Sequence, residues 1–138
     1  MSCLANRGIR GILKKDIGTI WQEVEPILSR AIRSDHFNMI DIYMLLQKGQ
    51  MQLWVGENNE KIEAVMTTEI IIYPRCKECV LVHMAGNWDD GFKSYLDYIK
   101  EWAKANNCSK IIIEGREGWQ RLLKDFFKKT AIRLEMKI

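Results

Sequence analysis

The chain lacks the features that mark a membrane or secreted protein. None of its uninterrupted apolar runs is longer than the five residues 42–46, whereas a helix needs about 20 such residues to cross a bilayer. The first 15 residues include basic side chains but no apolar stretch of the kind found in secretion signals. We therefore expect a cytoplasmic protein with no membrane association.

Neither sign of charge dominates the chain. Its 21 basic residues nearly balance its 18 acidic residues, which leaves a formal net charge of +3. Basic residues cluster around Arg30, Arg116 and Lys128, and we interpret these clusters as solvated helix faces. The composition therefore carries no strong nucleic-acid signal, since such surfaces normally show a marked basic excess.

Cysteine is scarce, and only two of the four cysteines are close together. Cys76 and Cys79 form a Cys-x-x-Cys pair that is followed by His83, which resembles half of a zinc site. A structural zinc ion normally needs four ligands, usually from two such pairs, and neither Cys3 nor Cys108 has a paired neighbour. We predict reduced thiols, as is usual in the cytoplasm, and no metal.

Hydrophobic periodicity predicts one α/β domain over residues 1–138. Apolar residues at helical spacing predict helices over residues 17–32, 39–47, 93–105 and 119–127. Alternating or β-branched runs predict strands over residues 10–13, 50–55, 61–73, 78–85, 110–114 and 131–138. The resulting order, β-α-α-β-β-β-α-β-α-β, indicates a central mixed sheet flanked by helices, with an antiparallel meander followed by a right-handed parallel crossover.

Two local features qualify these elements. Pro26 lies inside the first helical stripe, which predicts a kink or a break near Glu25. Regular alternation in the fourth strand predicts one face with Val80, Val82 and Met84, and a second face that His83 shares with Leu81 and Cys79.

The segment that joins the fourth strand to the third helix is the most informative part of the chain. A glycine-flanked loop before a helix is a common place for an anionic ligand, because the free N–H groups of the helix start point towards it. This loop, residues 84–92, contains Asp89 and Asp90. Each aspartate would repel an anion at ~6 Å by roughly 0.7 kcal/mol in solvent, or the pair would cap the following helix.

The element order, together with residues 50–55, 68–70, 73–74 and 115–119, resembles the GCN5-related N-acetyltransferase (GNAT) superfamily, and in particular its small members encoded by bacteriophages and prophages. The resemblance implies that an acyl-CoA lies between the strand at residues 80–85 and the strand at residues 110–114. The cofactor-binding residues that it implies are Met84, Ala85, Gly86, Asn87, Gly91, Phe92, Lys93 and Arg116.

The resemblance also implies positions for the chemistry. Glu69 lies on the long central strand, where some relatives place a general base, and His83 is a second candidate. The alternative for Glu69 is a solvated acid or an ion pair with Arg75 or Arg116, and the alternative for His83 is a surface or core histidine.

The chain departs from the superfamily pattern in two places. The loop has aspartates and Phe92 where small residues are expected, and Phe126 or Phe127 stands where many members have a tyrosine that acts as general acid. We therefore expect a degenerate acyl-CoA site without cofactor, in a non-catalytic binding or virion-associated protein of phage or prophage origin. Such a protein would act in the host cytoplasm or in the virion.

Tryptophans support this expectation weakly. Trp54, Trp88 and Trp119 lie near turns or on strand faces that we expect to be exposed, where aromatic anchors favour protein partners such as phage structural proteins. Their alternative is ordinary core packing. The alternative function is an active acetyl-CoA-dependent N-acetyltransferase with an atypical cofactor loop and Glu69 as its base.

Overall fold

The computed structural model describes residues 7–33, 36–88, 92–114 and 123–138. Its strands and α-helices are, in chain order, β1 (Arg7–Ile12), α1 (Ile17–Leu28), α2 (Met39–Gln47), β2 (Gln52–Asn58), β3 (Lys61–Ile72), β4 (Lys77–Gly86), α3 (Phe92–Ala105) and β5 (Lys110–Ile113). Short 3-10 turns at Lys14–Asp16 and Ser29–Ala31 precede and follow α1. Within this part of the chain, no helix is long and apolar enough to cross a membrane.

The strands form one mixed sheet in the order β1-β2-β3-β4-β5. The pairs β1–β2, β2–β3 and β3–β4 are antiparallel, and the pair β4–β5 is parallel. The β2–β3 turn has Asn59 and Glu60 at positive φ, 53° and 67°, which matches the right-handed twist of a hairpin. The predicted α/β class, the meander and the crossover are therefore confirmed.

Helices cover both faces of the sheet and bury two separate cores. The first core lies under α1 and α2 and includes Val24, Leu28, Ile42, Leu46, Leu53, Val55 and Val65. The second lies under α3 and includes Trp54, Met66, Leu81, Trp88, Tyr95 and Ile99. Because successive residues of a strand face opposite sides, neighbours such as Leu53 and Trp54 contribute to different cores.

The predicted break near Glu25 is wrong, because α1 runs through Pro26 and ends at Leu28. Proline lies here in the last turn, so the helix ends two residues later and the disturbance affects little of it. The second helix has the predicted bounds. Asn38 and Asp41 form a reciprocal capping box at its start, with distances of 2.8 and 3.0 Å.

The end of the chain differs from its prediction. The predicted helix over residues 119–127 lies mostly outside the described residues, and its described part is the single helical residue Leu123 followed by a turn. Residues 131–138, predicted as a last strand, have no regular secondary structure and are exposed; Leu134 has 88% of its surface accessible. An alternating pattern becomes a strand only where a sheet edge pairs with it and buries one face.

Candidate functional site

The parallel pairing between β4 and β5 is short. It joins residues 78–81 of β4 to residues 110–113 of β5, while β4 itself continues to Gly86. Within the described part of the chain, residues 82–86 therefore have no strand partner on the β5 side, while residues 83–86 pair with β3 on the other side. A strand edge of this kind presents backbone N–H and C=O groups to whatever lies beside it.

A β-bulge lies at the point where this free edge begins. Leu81 is opposite Thr68 and His83 is opposite Thr67, so Val82 is the extra residue of β4. A bulge bends its strand and interrupts the alternation of faces. The last segment of β4 is thus turned relative to the part that pairs with β5.

The bulge overturns the predicted faces of β4. Val82 packs against the core under α1 and α2, and His83 contacts Phe37, which belongs to the same side. Met84 packs instead with the core under α3, as Cys79 does. The prediction that Val82 shares a face with Met84, and His83 with Cys79, is therefore wrong, because one extra residue shifts the alternation after it.

His83 is buried and held by two neighbours. Its Nδ1 lies 2.7 Å from Thr67 Oγ1, and its ring stands edge-on to Phe37 with a centroid distance of 5.5 Å. Burial lowers the pKa of His83 below its usual 6.5, because it penalises the charged form. The imidazole is therefore neutral at pH 7, which is the state that can accept a proton.

Glu69 lies on the same face of the sheet as His83. It is two residues after Thr67 on β3 and is opposite Val80, about 7 Å along the strand from the threonine that contacts His83. Its side chain is half-buried. Among the described residues Glu69 forms no ion pair with Arg75, and Arg116 lies outside that part of the chain.

Five of the residues expected to hold an acyl-CoA lie in the described part of the chain at the end of β4 and the start of α3. Met84, Ala85 and Gly86 end β4, while Phe92 and Lys93 begin α3. Gly91 and Arg116, like Asp89 and Asp90, lie outside the described residues. The roles of these four residues stay predictions.

Gly86 and Asn87 are tied to β3. Gly86 has φ +87°, and a Cβ there would lie 2.3 Å from the carbonyl oxygen of Glu63, so no other residue type fits without movement. The Asn87 N–H donates to the same oxygen at 2.9 Å. This amide already has an acceptor, and the Gly86–Asn87 turn fixes where the chain leaves the sheet.

Two of the three tryptophans expected at the surface are core residues. Trp54 is only 2% exposed. Trp88 is buried beside Gly56, donates from Nε1 to the Val65 carbonyl oxygen at 3.3 Å, and stands edge-on to Tyr95. The expectation of exposed anchors is therefore wrong for both, because α3 covers the face on which they lie. Trp119 lies outside the described residues.

The two phenylalanines that replace the expected tyrosine differ in their surroundings. Phe126 is 44% exposed, and its ring centroid is 6.1 Å from that of Phe92 at the start of α3. Phe127 packs against the core under α3. The interpretation of both as core residues thus holds for Phe127 only, and neither side chain has a proton to donate.

The cysteines of the described residues are free thiols. Cys79 is buried, whereas Cys76 and Cys108 are half-buried. Burial, with a smaller contribution from Cys108, raises the pKa of Cys79 to about 12. No group of three histidine, cysteine or acidic residues that could hold a metal occurs in the described ranges, and the bulge turns His83 away from the Cys79 side of the sheet.

No protein-family model and no curated protein matches this sequence. Solved structures do match its fold. An aminoglycoside acetyltransferase from an uncultured soil metagenomic sample, solved with sisomicin, superposes with a TM-score of 0.71 at 11% identity over 96% of both chains. A ribosomal-protein-alanine N-acetyltransferase from Brucella melitensis biovar Abortus 2308 gives a TM-score of 0.71 at 14% identity, over 96% of this chain and 98% of the other.

This chain has the GNAT acetyltransferase fold. A third match, an aminoglycoside N-acetyltransferase in complex with CoA, covers 100% of this chain and 98% of its own, with a TM-score of 0.72 and 11% identity. A GNAT-family acetyltransferase from Staphylococcus aureus gives a TM-score of 0.68 at 12% identity, over 96% and 98% of the two chains. At these identities the likeness shows the GNAT fold, and the chemistry has to be argued from the site itself.

Proposed function

We propose that this chain binds an acyl-coenzyme A along the free edge of β4 and transfers the acyl group to an amine. The observation that carries the proposal is the β5-facing edge of residues 82–86, which pairs with no strand among the described residues, begins at the bulge and ends at the Gly86 turn. The GNAT fold supports the ligand class, since one of the matching acetyltransferases is in complex with CoA.

The free edge suits the chemistry of this ligand. The pantetheine arm of coenzyme A is an extended chain with two amide groups, and an exposed strand edge offers the alternating donors and acceptors that such a chain can pair with. Residues 82–86 would hold the arm, and Lys93, exposed on the first turn of α3, adds a positive charge nearby. The bound thioester would supply an activated acyl group.

His83 is the candidate general base of this proposal. An amine that attacks an acyl group must lose a proton, and His83 is kept neutral at pH 7 by burial. When its Nδ1–H donates to Thr67 Oγ1, Nε2 is the ring nitrogen that accepts a proton. Glu69, on the same face, is the second candidate acceptor. Phe126 and Phe127 have no proton to donate, so neither can act as the general acid.

The first experiment is isothermal titration of the protein with acetyl-CoA and with CoA. Micromolar binding of either ligand is the expected result. Lys93→Ala should weaken the affinity for acetyl-CoA, whereas Lys61→Ala, a change of the exposed lysine at the start of β3, should not. Absence of binding at millimolar ligand, with the protein folded by circular dichroism, would overturn the proposal.

The second experiment separates binding from transfer. Release of the free thiol is followed with a panel of amines that includes an aminoglycoside and a peptide with a free amino terminus. His83→Gln should lower the rate by at least about 100-fold, the lower range for general base catalysis, without weakening acetyl-CoA binding. His36→Gln is the matched control. Equal rates in both variants would remove His83 from the mechanism and leave Glu69, tested by Glu69→Gln.

A second function is favoured by the phenylalanines. A GNAT-fold module without catalysis needs no proton donor, and the contact of the exposed Phe126 with Phe92 gives the start of α3 an aromatic neighbour in place of a hydroxyl. In this proposal the chain is a phage or prophage protein that binds protein partners, within the host cell or in the virion. Binding of CoA without transfer to any amine, together with the chain's presence in purified particles by mass spectrometry, would support it.

A further inference from the structure

A cleft lies near the β1 edge of the sheet, away from the free edge of β4. It has a volume of about 510 Å³ and lies between the end of β1, the beginning of β2 and the second half of α3. Its lining includes Gly11, Gln52, Trp54, Tyr98, Glu101 and Trp102. We call it the aromatic cleft, because three of its lining residues are aromatic.

The rings of Trp102 and Tyr98 line the cleft, and Trp54 lies beneath them as a buried floor that is only 2% exposed. The Trp102 and Tyr98 rings stand at 83° and 82° to the Trp54 ring, with centroids 5.1 and 6.0 Å from its centroid. Tyr98 is 54% exposed and Trp102 is half-buried, so both present ring surface to the cleft. Rings at right angles cannot stack together on a flat ligand, but they can surround a compact one.

The floor is fixed by its own hydrogen bonds. Trp54 Nε1–H donates to Thr68 Oγ1 at 3.0 Å, and the Thr68 hydroxyl donates to Gln52 Oε1 at 2.9 Å. On the other side of the ring, a Cβ at Gly11 would lie 3.1 Å from the indole. The glycine therefore allows Trp54 to pack closely on β1, and the orientation of the indole is set before any ligand arrives.

A carboxylate lies at the rim of the cleft. Glu101 is the charged member of the lining, and its side chain is 73% exposed. Lys104 Nζ lies 3.9 Å from Glu101 Oε1 on the same helix, and the lysine is similarly exposed. An exposed ion pair of this kind contributes little binding energy and does not hold the two side chains together. The carboxylate of Glu101 is thus able to face a cation bound against the rings.

We propose that the aromatic cleft binds a small organic cation, of the class of quaternary and alkylated ammonium ions. Aromatic faces attract such ions through the ring quadrupole, and a nearby carboxylate adds charge complementarity. A compact, weakly hydrated ammonium group fills the space between perpendicular rings, while a flat or anionic ligand does not match this lining.

The aromatic cleft is a separate site from the free edge of β4. Trp54 is level with Met66 on β3 and therefore with Met84 on β4. The two sites are separated across the sheet, because β1 and β2 lie three and two strands away from β4, which corresponds to roughly 10 to 15 Å. Failure of acyl-CoA binding would therefore leave this proposal untouched, and the reverse also holds.

The test is titration of the full chain with choline and with its neutral isostere, 3,3-dimethylbutan-1-ol. Binding is followed by the indole N–H signals in nitrogen-correlated NMR spectra, with the Trp102 signal assigned from Trp102→Phe. We expect choline to saturate with a Kd of about 1 mM or tighter, and the alcohol to bind at least about fivefold more weakly, as the cation–π range implies. The proposal would be overturned if choline and the alcohol bound equally well, or if choline did not saturate the protein at a concentration roughly tenfold above the expected Kd.

Matched variants locate the site. Glu101→Gln should weaken choline binding about three- to tenfold with no effect on the alcohol, whereas Glu135→Gln, in the exposed terminal segment, should change neither. Tyr98→Ala should weaken choline binding by a similar factor, and Tyr73→Ala, another exposed tyrosine, is its control. All four side chains are exposed, so the variants should fold. Unchanged choline affinity in both cleft variants would refute the assignment.

Discussion

Replacing Gly86 with alanine is the most direct test of the turn that ends the free edge of β4. The residue has φ +87°, a region in which an L side chain costs about 1 to 2 kcal/mol. The added Cβ would also lie 2.3 Å from the Glu63 carbonyl oxygen and 2.8 Å from the Cα of Ala64. Both neighbours are backbone atoms of β3, so no side chain can simply rotate away.

The free energy of unfolding should fall by about 2 to 5 kcal/mol, because the overpacking of a well-packed site typically adds roughly 1 to 3 kcal/mol to the backbone strain. For a chain of 138 residues, each kcal/mol corresponds to about 3 to 4 °C in Tm. Gly86→Ala should therefore melt about 6 to 20 °C below the parent protein in thermal unfolding followed by circular dichroism.

Gly8→Ala is the matched control for this change. Gly8 lies in β1 and is exposed, and a Cβ there has nothing within 4 Å, so the variant should melt within about 2 °C of the parent protein. If Gly86→Ala also melts within that range, then Gly86 does not contact β3 as described, and the path of the chain from β4 into α3 is different.

Three further predictions follow from burial. Burial lowers the folded-state pKa of His83 below the unfolded value of 6.5, so the stability that the neutral imidazole contributes is complete above about pH 6.5 and is lost as the pH falls towards the lowered pKa. The Tm of His83→Gln should therefore vary less between pH 7 and pH 5 than the Tm of the parent protein or of His36→Gln. Equal pH profiles of Tm would contradict this. With the other cysteines changed to serine, Cys79, whose pKa burial raises to about 12, should react with an aromatic disulfide reagent only on unfolding, so rapid labelling of the native protein would show that it is accessible. Deletion of residues 131–138, which are exposed, should change the Tm by less than about 2 °C, and a larger loss would show that the segment is paired as the strand that its sequence predicts.

Hydrophobic pattern and turn residues predicted the sheet because they act locally. The alternation through β2 and β3, with Asn59 and Glu60 at the turn, determines a hairpin whatever the rest of the chain does. The helical stripe of α2 had the same property, and its capping residues lie within the helix start itself. Features that depend on a distant partner were predicted less well. Among the described residues the last alternating segment pairs with no strand, and Trp88 is buried against Gly56 and Val65, 32 and 23 positions earlier in the chain.

The candidate site depends on a feature that leaves no clear mark in the sequence. If β4 alternated regularly through Val82, His83 would lie on the α3 side of the sheet, with Cys79 and Leu81. The bulge instead places it against Thr67 and Phe37, on the side that Glu69 occupies. The sequence around His83 and Glu69 does not predict that they share a face, because the position of a bulge depends on how two strands match in register. The same irregularity lies where the pairing of β4 with β5 ends, and it brings the two candidate bases to one face. Deleting Val82 should remove the bulge, and His83 would then follow Leu81 directly, on the face where Thr67 and Glu69 lie. Acyl transfer should therefore survive the deletion, and its loss in a folded variant that still binds acetyl-CoA would contradict the register described for β4.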